Sequence, residues 1–159
     1  TGHSHMKKRM KELEAPLAGE MSGHIFIADN YLGFDDAIYA AVRVITQMVK
    51  GGQSITEFMD SLPEQHATPE LRIDCPDTVK FDSMERIRAH VLSGHDAADV
   101  NSIDGVRVRS GDGWWLIRAS NTEAALVARA EAADRTALDR LLGDIETTLA
   151  AAGLDWKRP

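Results

Sequence analysis

Apolar residues recur along this chain with two alternating periods. Met6, Met10 and Leu13 sit at helical spacing in the charged stretch Lys7 to Glu14, which Pro16 closes. The run Ile25-Phe-Ile-Ala28 then reads as a strand. Ile38, Ala41, Val42, Ile45 and Val49 follow the i, i+3, i+4, i+7, i+11 pattern of one helix face. Asp35-Asp36 opens that helix and Lys50-Gly51-Gly52 closes it, with charges that complement its dipole. Ser54 and Glu57 form a capping-box signature for a second, short helix carrying Ile55, Phe58, Met59 and Leu62, which Pro63 ends. Leu71 and Ile73 alternate with polar neighbours from Glu70 to Asp74 and predict a strand. Asp82 with Glu85 predicts a helix start before Met84, Ile87 and Val91, ending at Gly94. A hairpin is expected from Ala98–Ile103 and Val106–Arg109 around Asp104-Gly105, a strong two-residue turn signal. Strands over Trp114–Arg118 and from Ala124 to Ala130 follow. A last helix starts at Asp134 with Leu138, Leu141, Leu142, Ile145 and Leu149 on one stripe, and Gly153 sits at its C′ position.

The segment Pro63-Glu-Gln-His-Ala-Thr-Pro69 breaks this order. It has two prolines, few apolar residues and no period, as expected of a domain boundary. Beyond it, strand, helix, an antiparallel group of strands and a final helix predict a compact α+β unit of about 95 residues with helices on one sheet face. The preceding 60 or so residues are too few to bury a normal share of their surface. Their Ile38/Val42/Ile45 stripe is therefore expected to face a partner, and self-association through it is a possible outcome.

Composition narrows the function. With 159 residues, 43% hydrophobic and 27% charged, the chain has the make-up of an ordinary soluble protein. Its net charge of −7 argues against general nucleic-acid binding, which needs a basic footprint. A small anion held by one local arginine cluster stays compatible with that charge. Cys75 is the single cysteine, so no intrachain disulfide is available and a reducing, cytoplasmic setting is the simplest expectation. No apolar run approaches the ~20 residues of a membrane span.

Two loops carry candidate chemistry. Arg118-Ala-Ser-Asn-Thr-Glu123 lies between two strands, so a guanidinium, a hydroxyl, an amide and several backbone N–H groups can converge on one point, as phosphate oxygens require. An ordinary Ser/Asn turn fits the same hexapeptide. Gly19-Glu-Met-Ser-Gly-His24 brackets Glu20, Ser22 and His24 with glycines and offers both donors and acceptors to sugar hydroxyls. His3, His5 and His24 with Glu20 fit no zinc spacing. Trp114 and Trp115 point to opposite sheet faces, one for the core and one partly exposed. No Ser-His-Asp or Cys-His nucleophile and no Walker or dinucleotide loop is legible.

Three segments together resemble the C-terminal part of the α-D-phosphohexomutases, in the phosphomannomutase/phosphoglucomutase branch. Thr1-Gly-His-Ser4 is similar to the family's motif in its third domain, which makes Gly2-His-Ser-His-Met6 native sequence and not a tag remnant. Gly19 to His24 resembles the sugar-binding loop of that domain, and Arg118-Ala-Ser-Asn-Thr122 the phosphate-binding loop of the fourth. The resemblance implies residues 1–64 as the end of an α/β domain three and 65–159 as domain four. It implies that Glu20 and Ser22 bind sugar hydroxyls, with His24 and His3 beside them. Arg118, Ser120, Asn121 and Thr122 would hold the non-reacting phosphate, with Arg129 a further candidate. The family moves phosphate between C1 and C6 of a hexose through a hexose 1,6-bisphosphate, with Mg2+ as cofactor and mannose and glucose phosphates as substrates.

The family's phosphoserine loop and its Asp-Gly-Asp-Gly-Asp-Arg magnesium loop do not occur in this sequence. The chain is expected to be a fragment, inactive alone, with no catalytic or metal-ligating residue of its own. Met21, where phosphoglucosamine mutases usually carry Gln, favours the mannose/glucose branch. A phosphoglucosamine mutase fragment and a stand-alone sugar-phosphate binding module are the alternatives.

Overall fold

The computed structural model describes residues 2–158, and Thr1 of the Thr-Gly-His-Ser motif and Pro159 lie outside the described residues. The chain divides into two compact units, Thr1–Pro63 and Glu64–Pro159.

In the first unit, helix α1 (His3–Leu13) ends at Glu14, whose left-handed backbone (φ 51°) turns the chain into strand β1 (Leu17–Gly19). That strand was not evident from the sequence, because the three residues Leu17–Gly19 show no alternation. It pairs antiparallel with β2 (Ile25–Ile27), Leu17 opposite Ile27 and Gly19 opposite Ile25. Helix α2 (Ala37–Gly51) begins as expected, the Asp36 carboxylate accepting the Tyr39 N–H, and stops at Gly52 in the left-handed region. Helix α3 (Ile55–Asp60) carries the full capping box, Ser54 with Glu57. Met10, Phe26, Ile27 and Ala40 are the buried apolar residues of this unit.

The second unit is built on a six-stranded antiparallel sheet. β3 (His66–Ala67) and β4 (Leu71–Asp74) both pair with β8 (Ala125–Ala132). The sheet then continues through β7 (Gly113–Ala119), β6 (Val106–Ser110) and β5 (Val100–Asn101). The strands flanking the 118–122 loop are therefore direct neighbours, Arg118 opposite Val127 and Ala119 opposite Leu126. Strict alternation gives the sheet two faces. Ile73, Val106, Val108, Trp115, Ile117, Leu126 and Ala130 point to one side, where helices α4 (Asp77–Gly94) and α5 (Arg135–Ala151) close over them with Ile87, Val91, Leu141, Ile145 and Leu149. Each such aliphatic side chain contributes roughly 1.5–3 kcal/mol by leaving water.

Two expected boundaries move. Helix α4 starts at Asp77, after Pro76, and not at Asp82; Asp82 and Glu85 lie inside it. The strand expected from Ala98 shrinks to Val100–Asn101, because Asp96 caps a single 3-10 turn over Ala97–Asp99 by accepting the Ala98 N–H. Asn101 Oδ1 then takes the Ile103 N–H, and the chain leaves the sheet before Asp104-Gly105, so the connection is longer than two residues. Among the described residues no helix is long and apolar enough to cross a membrane.

Candidate functional site

The β1–β2 hairpin of the first unit carries its candidate loop at the tip. The Glu20 N–H donates to the His24 carbonyl and the Gly23 N–H to the Glu20 carbonyl, with Gly23 at φ 91°. This closure leaves Ser22 exposed and lets Glu20 fold back, where its carboxylate accepts the Gly2 N–H at 3.1 Å. The start of α1 and the hairpin loop, 18 residues apart in sequence, thus meet in space.

His3 completes that meeting. Its ring lies edge-on to His24, 4.5 Å between centroids, and edge-on to buried Phe26 at 5.3 Å. Both imidazoles converge on one carboxylate oxygen: Asp35 Oδ2 is 2.7 Å from His24 Nδ1 and 3.2 Å from His3 Nε2. Asp35 Oδ1 meanwhile accepts the Ile25 N–H at 3.2 Å, which anchors the carboxylate to β2. Sequence reasoning passed over Asp35 as a helix opener. Asp36 alone caps α2, and that redundancy was the available signal: one aspartate suffices for an N-cap. A carboxylate on His24 Nδ1 favours the tautomer with hydrogen there, leaving Nε2 as an acceptor for a hydroxyl. His5 and Glu20 do not join His24 as ligands; among the described residues His3, His24 and Asp35 are the group with ligand geometry. Two imidazoles and one carboxylate are a nitrogen-rich set, unlike the oxygen shell magnesium demands, so the residues present do not fit Mg2+.

In the second unit, the outer face of the sheet is rich in arginine. Arg118 on β7 and Arg129 on β8 share this face diagonally, since Arg118 pairs with Val127 and Leu116 with Arg129. Arg107 from β6 lies over the partly exposed Trp114 ring at 4.5 Å, so the outward-facing tryptophan of the pair is covered by a guanidinium. Arg72 is held by Glu123 and Asp74, and Arg109 by Asp99. Among the described residues, neither Arg118 nor Arg129 makes an ion pair with a carboxylate. The Arg118 guanidinium donates to the Ala119 carbonyl across a long 3.5 Å.

The loop itself differs from the expected nest of free donors. Ser120 is buried, and its Oγ accepts the Thr122 and Glu123 N–H groups at 3.4 and 3.2 Å, while its own N–H donates to the Ala125 carbonyl. Its hydroxyl oxygen thus shapes the turn, and three of the loop's N–H groups are engaged within it. Asn121 and Thr122 are exposed at the rim. Underneath, Lys80 of α4 donates to the carbonyls of Ser120 and Glu123, a contact invisible in the sequence. The face offers two uncommitted guanidiniums beside a turn whose shape is fixed from inside, an arrangement suited to an oxyanion.

Two family models match successive stretches of the chain. The family model for the alpha/beta/alpha domain III of phosphoglucomutase/phosphomannomutase matches residues 1–66, and that for the C-terminal domain matches 70–148. A phosphomannomutase/phosphoglucomutase of Pseudomonas putida is 43% identical over 149 residues, covering 94% of this chain and 32% of that protein. A phosphoglucomutase of Neisseria gonorrhoeae is 39% identical over 141 residues, 89% of this chain and 30% of its own length. A probable phosphoglucosamine mutase of Methanopyrus kandleri is more distant, 28% identical over 131 residues, 82% of this chain and 28% of its own. A crystal structure of a phosphoglucomutase/phosphomannomutase family protein from Burkholderia thailandensis matches with a TM-score of 0.83 and 36% identity, over 98% of this chain and 32% of that one. The chain spans about a third of the length of the curated relatives it matches.

Proposed function

The chain belongs to the phosphoglucomutase/phosphomannomutase family, and from that premise we propose that it supplies sugar and phosphate recognition to a phosphohexomutase. The reaction is the transfer of phosphate between the 1- and 6-positions of a mannose or glucose phosphate, through a hexose 1,6-bisphosphate. Residues 1–64 are read as the end of domain three and 65–159 as domain four. Glu20 and Ser22 hydrogen-bond sugar hydroxyls. His24, oriented by Asp35, offers Nε2 to a hydroxyl, and His3 braces the same carboxylate. Arg118 and Arg129 neutralise the phosphate, with Asn121, Thr122 and the Ser120 hydroxyl proton at its edge.

One observation carries this reading: Arg118 and Arg129 stand on one sheet face without carboxylate partners among the described residues, in a chain of net charge −7, while Arg72 and Arg109 of that face are ion-paired and Arg107 lies over Trp114. The family's phosphoserine loop and its Asp-Gly-Asp-Gly-Asp-Arg magnesium loop do not occur in these 159 residues, which on this reading have no mutase activity alone. The setting is cytoplasmic. Met21 in the sugar loop favours mannose and glucose phosphates over glucosamine phosphate, the substrate class of the second reading. A stand-alone sugar-phosphate binding module is distinguished by finding a phosphate affinity that no longer chain improves. Association of copies through the exposed Ile38/Val42/Ile45 stripe belongs to the same proposal, and a strictly monomeric particle in light scattering would remove it.

The test is a titration of glucose 1-phosphate followed by amide NMR. Binding in the millimolar range, ~4 kcal/mol, is expected of the wild-type chain, with shifts at 118–123. Arg118→Ala should weaken it about tenfold, the order of a charge-assisted pair. Equal affinity for both proteins would refute the phosphate assignment.

A further inference from the structure

Lys80 breaks two local rules at once. It is an amine with only 5% of its surface exposed, and lysine is almost never fully buried unless paired. It also lies in the first turn of α4, where the helix dipole disfavours a cation. Positions that violate local preference need an offsetting interaction, and the structure shows one. Lys80 Nζ is 2.9 Å from the Ser120 carbonyl and 2.9 Å from the Glu123 carbonyl, and 2.6 Å from Asp77 Oδ1 one turn back. Its three ammonium hydrogens match three acceptors.

Two of those acceptors bracket the loop 120–123. With both carbonyls drawn onto Nζ, the turn is tied down at its two ends from the core side, and the negative ends of those peptide dipoles are spent on the ammonium. The third partner, Asp77, is largely solvated, so water screens its charge more than that of the buried amine.

We propose that Lys80 is a positioning residue for the phosphate loop: it fixes the loop's backbone through Ser120 and Glu123 and places a buried positive charge behind it. This inference rests on the reading of 118–122 as a phosphate clamp. A lysine that only plugs a core gap would affect folding; one that positions an anion site acts on affinity, and more strongly the more negative the ligand.

The experiment uses the full chain with glucose 1-phosphate as probe, titrated at pH 7.5 and pH 5, on either side of the second phosphate pKa of about 6. Lys80→Met keeps the apolar stem and removes the ammonium. It should weaken binding about tenfold at pH 7.5, as loss of bonds to a charged group implies, and distinctly less at pH 5, where the probe is a monoanion. Unchanged affinity at pH 7.5 overturns the proposal, and so does an equal loss at both pH values, which a purely scaffolding role would give. If the NMR spectrum shows Lys80→Met unfolded, Lys80→Gln is judged by the same two criteria, since its amide still donates to a carbonyl without charge. Arg118→Ala run beside them separates the two failures. Undiminished binding there removes the phosphate reading itself, whereas undiminished binding in the Lys80 variants alone removes only this inference.

Discussion

The two units of this chain spend their hydrophobic residues in opposite ways. The second unit puts alternating strands against two helices, and its apolar residues disappear into one core. The first unit keeps four apolar residues buried, while fifteen of the nineteen exposed large hydrophobic side chains among the described residues belong to it. Its helix α2 is the clearest case: Ile38, Val42, Ile45 and Val49, the same stripe that makes the helix legible, all face solvent, Ile38 at 81% exposure. Leu17, Ile25, Ala40 and Val44 meanwhile line an open groove of about 780 Å³. Periodicity marks which face wants burial and is silent on whether anything buries it. A domain closes when its layers are present in pairs. The second unit has both a sheet and its covering helices, and the first has a two-stranded hairpin with helices whose apolar sides find too little to pack on.

Substitution should expose this contrast at full size. Ile117→Ala removes a completely buried side chain between β7 and the helices, and about 2–5 kcal/mol of stability is expected to go with it. Ile38→Ser, an equally apolar loss on paper, should change the stability of the monomer by no more than about 0.5 kcal/mol when it is measured at a dilution where copies do not associate. The chain carries its own reporters. Trp114, Trp115 and Trp156 all lie in the second unit, and Tyr31 and Tyr39 in the first. Urea unfolding read by tryptophan fluorescence and by tyrosine signals therefore follows the units separately. A loss above 1 kcal/mol in the tyrosine transition of Ile38→Ser would mean that the stripe is covered, and would end the contrast.

Glycines give a smaller version of the same test. Gly113 starts β7 at φ 141°, and a Cβ there would fall 2.1 Å from the Glu131 carbonyl oxygen, so backbone must move. Gly52, at the end of α2, also has positive φ (63°) but nothing within 4 Å of its would-be Cβ. Gly113→Ala should cost about 1–3 kcal/mol from overpacking and strain. Gly52→Ala should cost roughly 1 kcal/mol, the left-handed penalty alone. Similar costs in the two units would show that the first is as closely packed as the second.

What the sequence disclosed depended on how local the cause was. The ends of α2, α3 and α5 were legible because Asp36, Ser54 and Asp134 satisfy N–H groups two or three residues away. The start of α4 was not, because the pair Asp82/Glu85 imitates a cap while the true start follows Pro76. β1 and β3, three and two residues long, are too short for alternation to register. The candidate sites split the same way. Arg118, Ser120, Glu20 and His24 stood out as motif residues within single loops. Asp35 and Lys80 did not, since the carboxylate matters through His3 and His24 and the amine through a loop some 40 residues away. Ser120 stood out as a candidate for a ligand, and its part in the turn did not, because the same hydroxyl oxygen also suits the N–H groups two and three residues ahead.

The smallest difference between the units concerns acid. Each has a partly exposed carboxylate held below its ordinary range. In the first, Asp36 accepts the Tyr31 hydroxyl at 2.6 Å and then the Tyr39 N–H. In the second, Asp112 receives a two-pronged Arg140 guanidinium at 2.5 and 2.8 Å. A depressed folded-state pKa means that each group stabilises its unit fully above the unfolded value near 4 and loses that contribution as pH falls through the lower folded value. Asp144, raised by burial, has the opposite sign: its ionisation opposes folding, so its protonation returns some stability to the second unit on the way down. The partners differ in kind. A guanidinium attraction is screened by salt, whereas hydrogen bonds from a phenol and an amide involve no second charge. In 0.5 M salt, the loss of stability between pH 5 and pH 3 should therefore shrink in the tryptophan transition and stay the same in the tyrosine transition. Asp112→Asn should remove the salt effect and Asp36→Asn should leave it in place. A salt effect that survives Asp112→Asn would assign the acid sensitivity of the second unit to other charges on its sheet face.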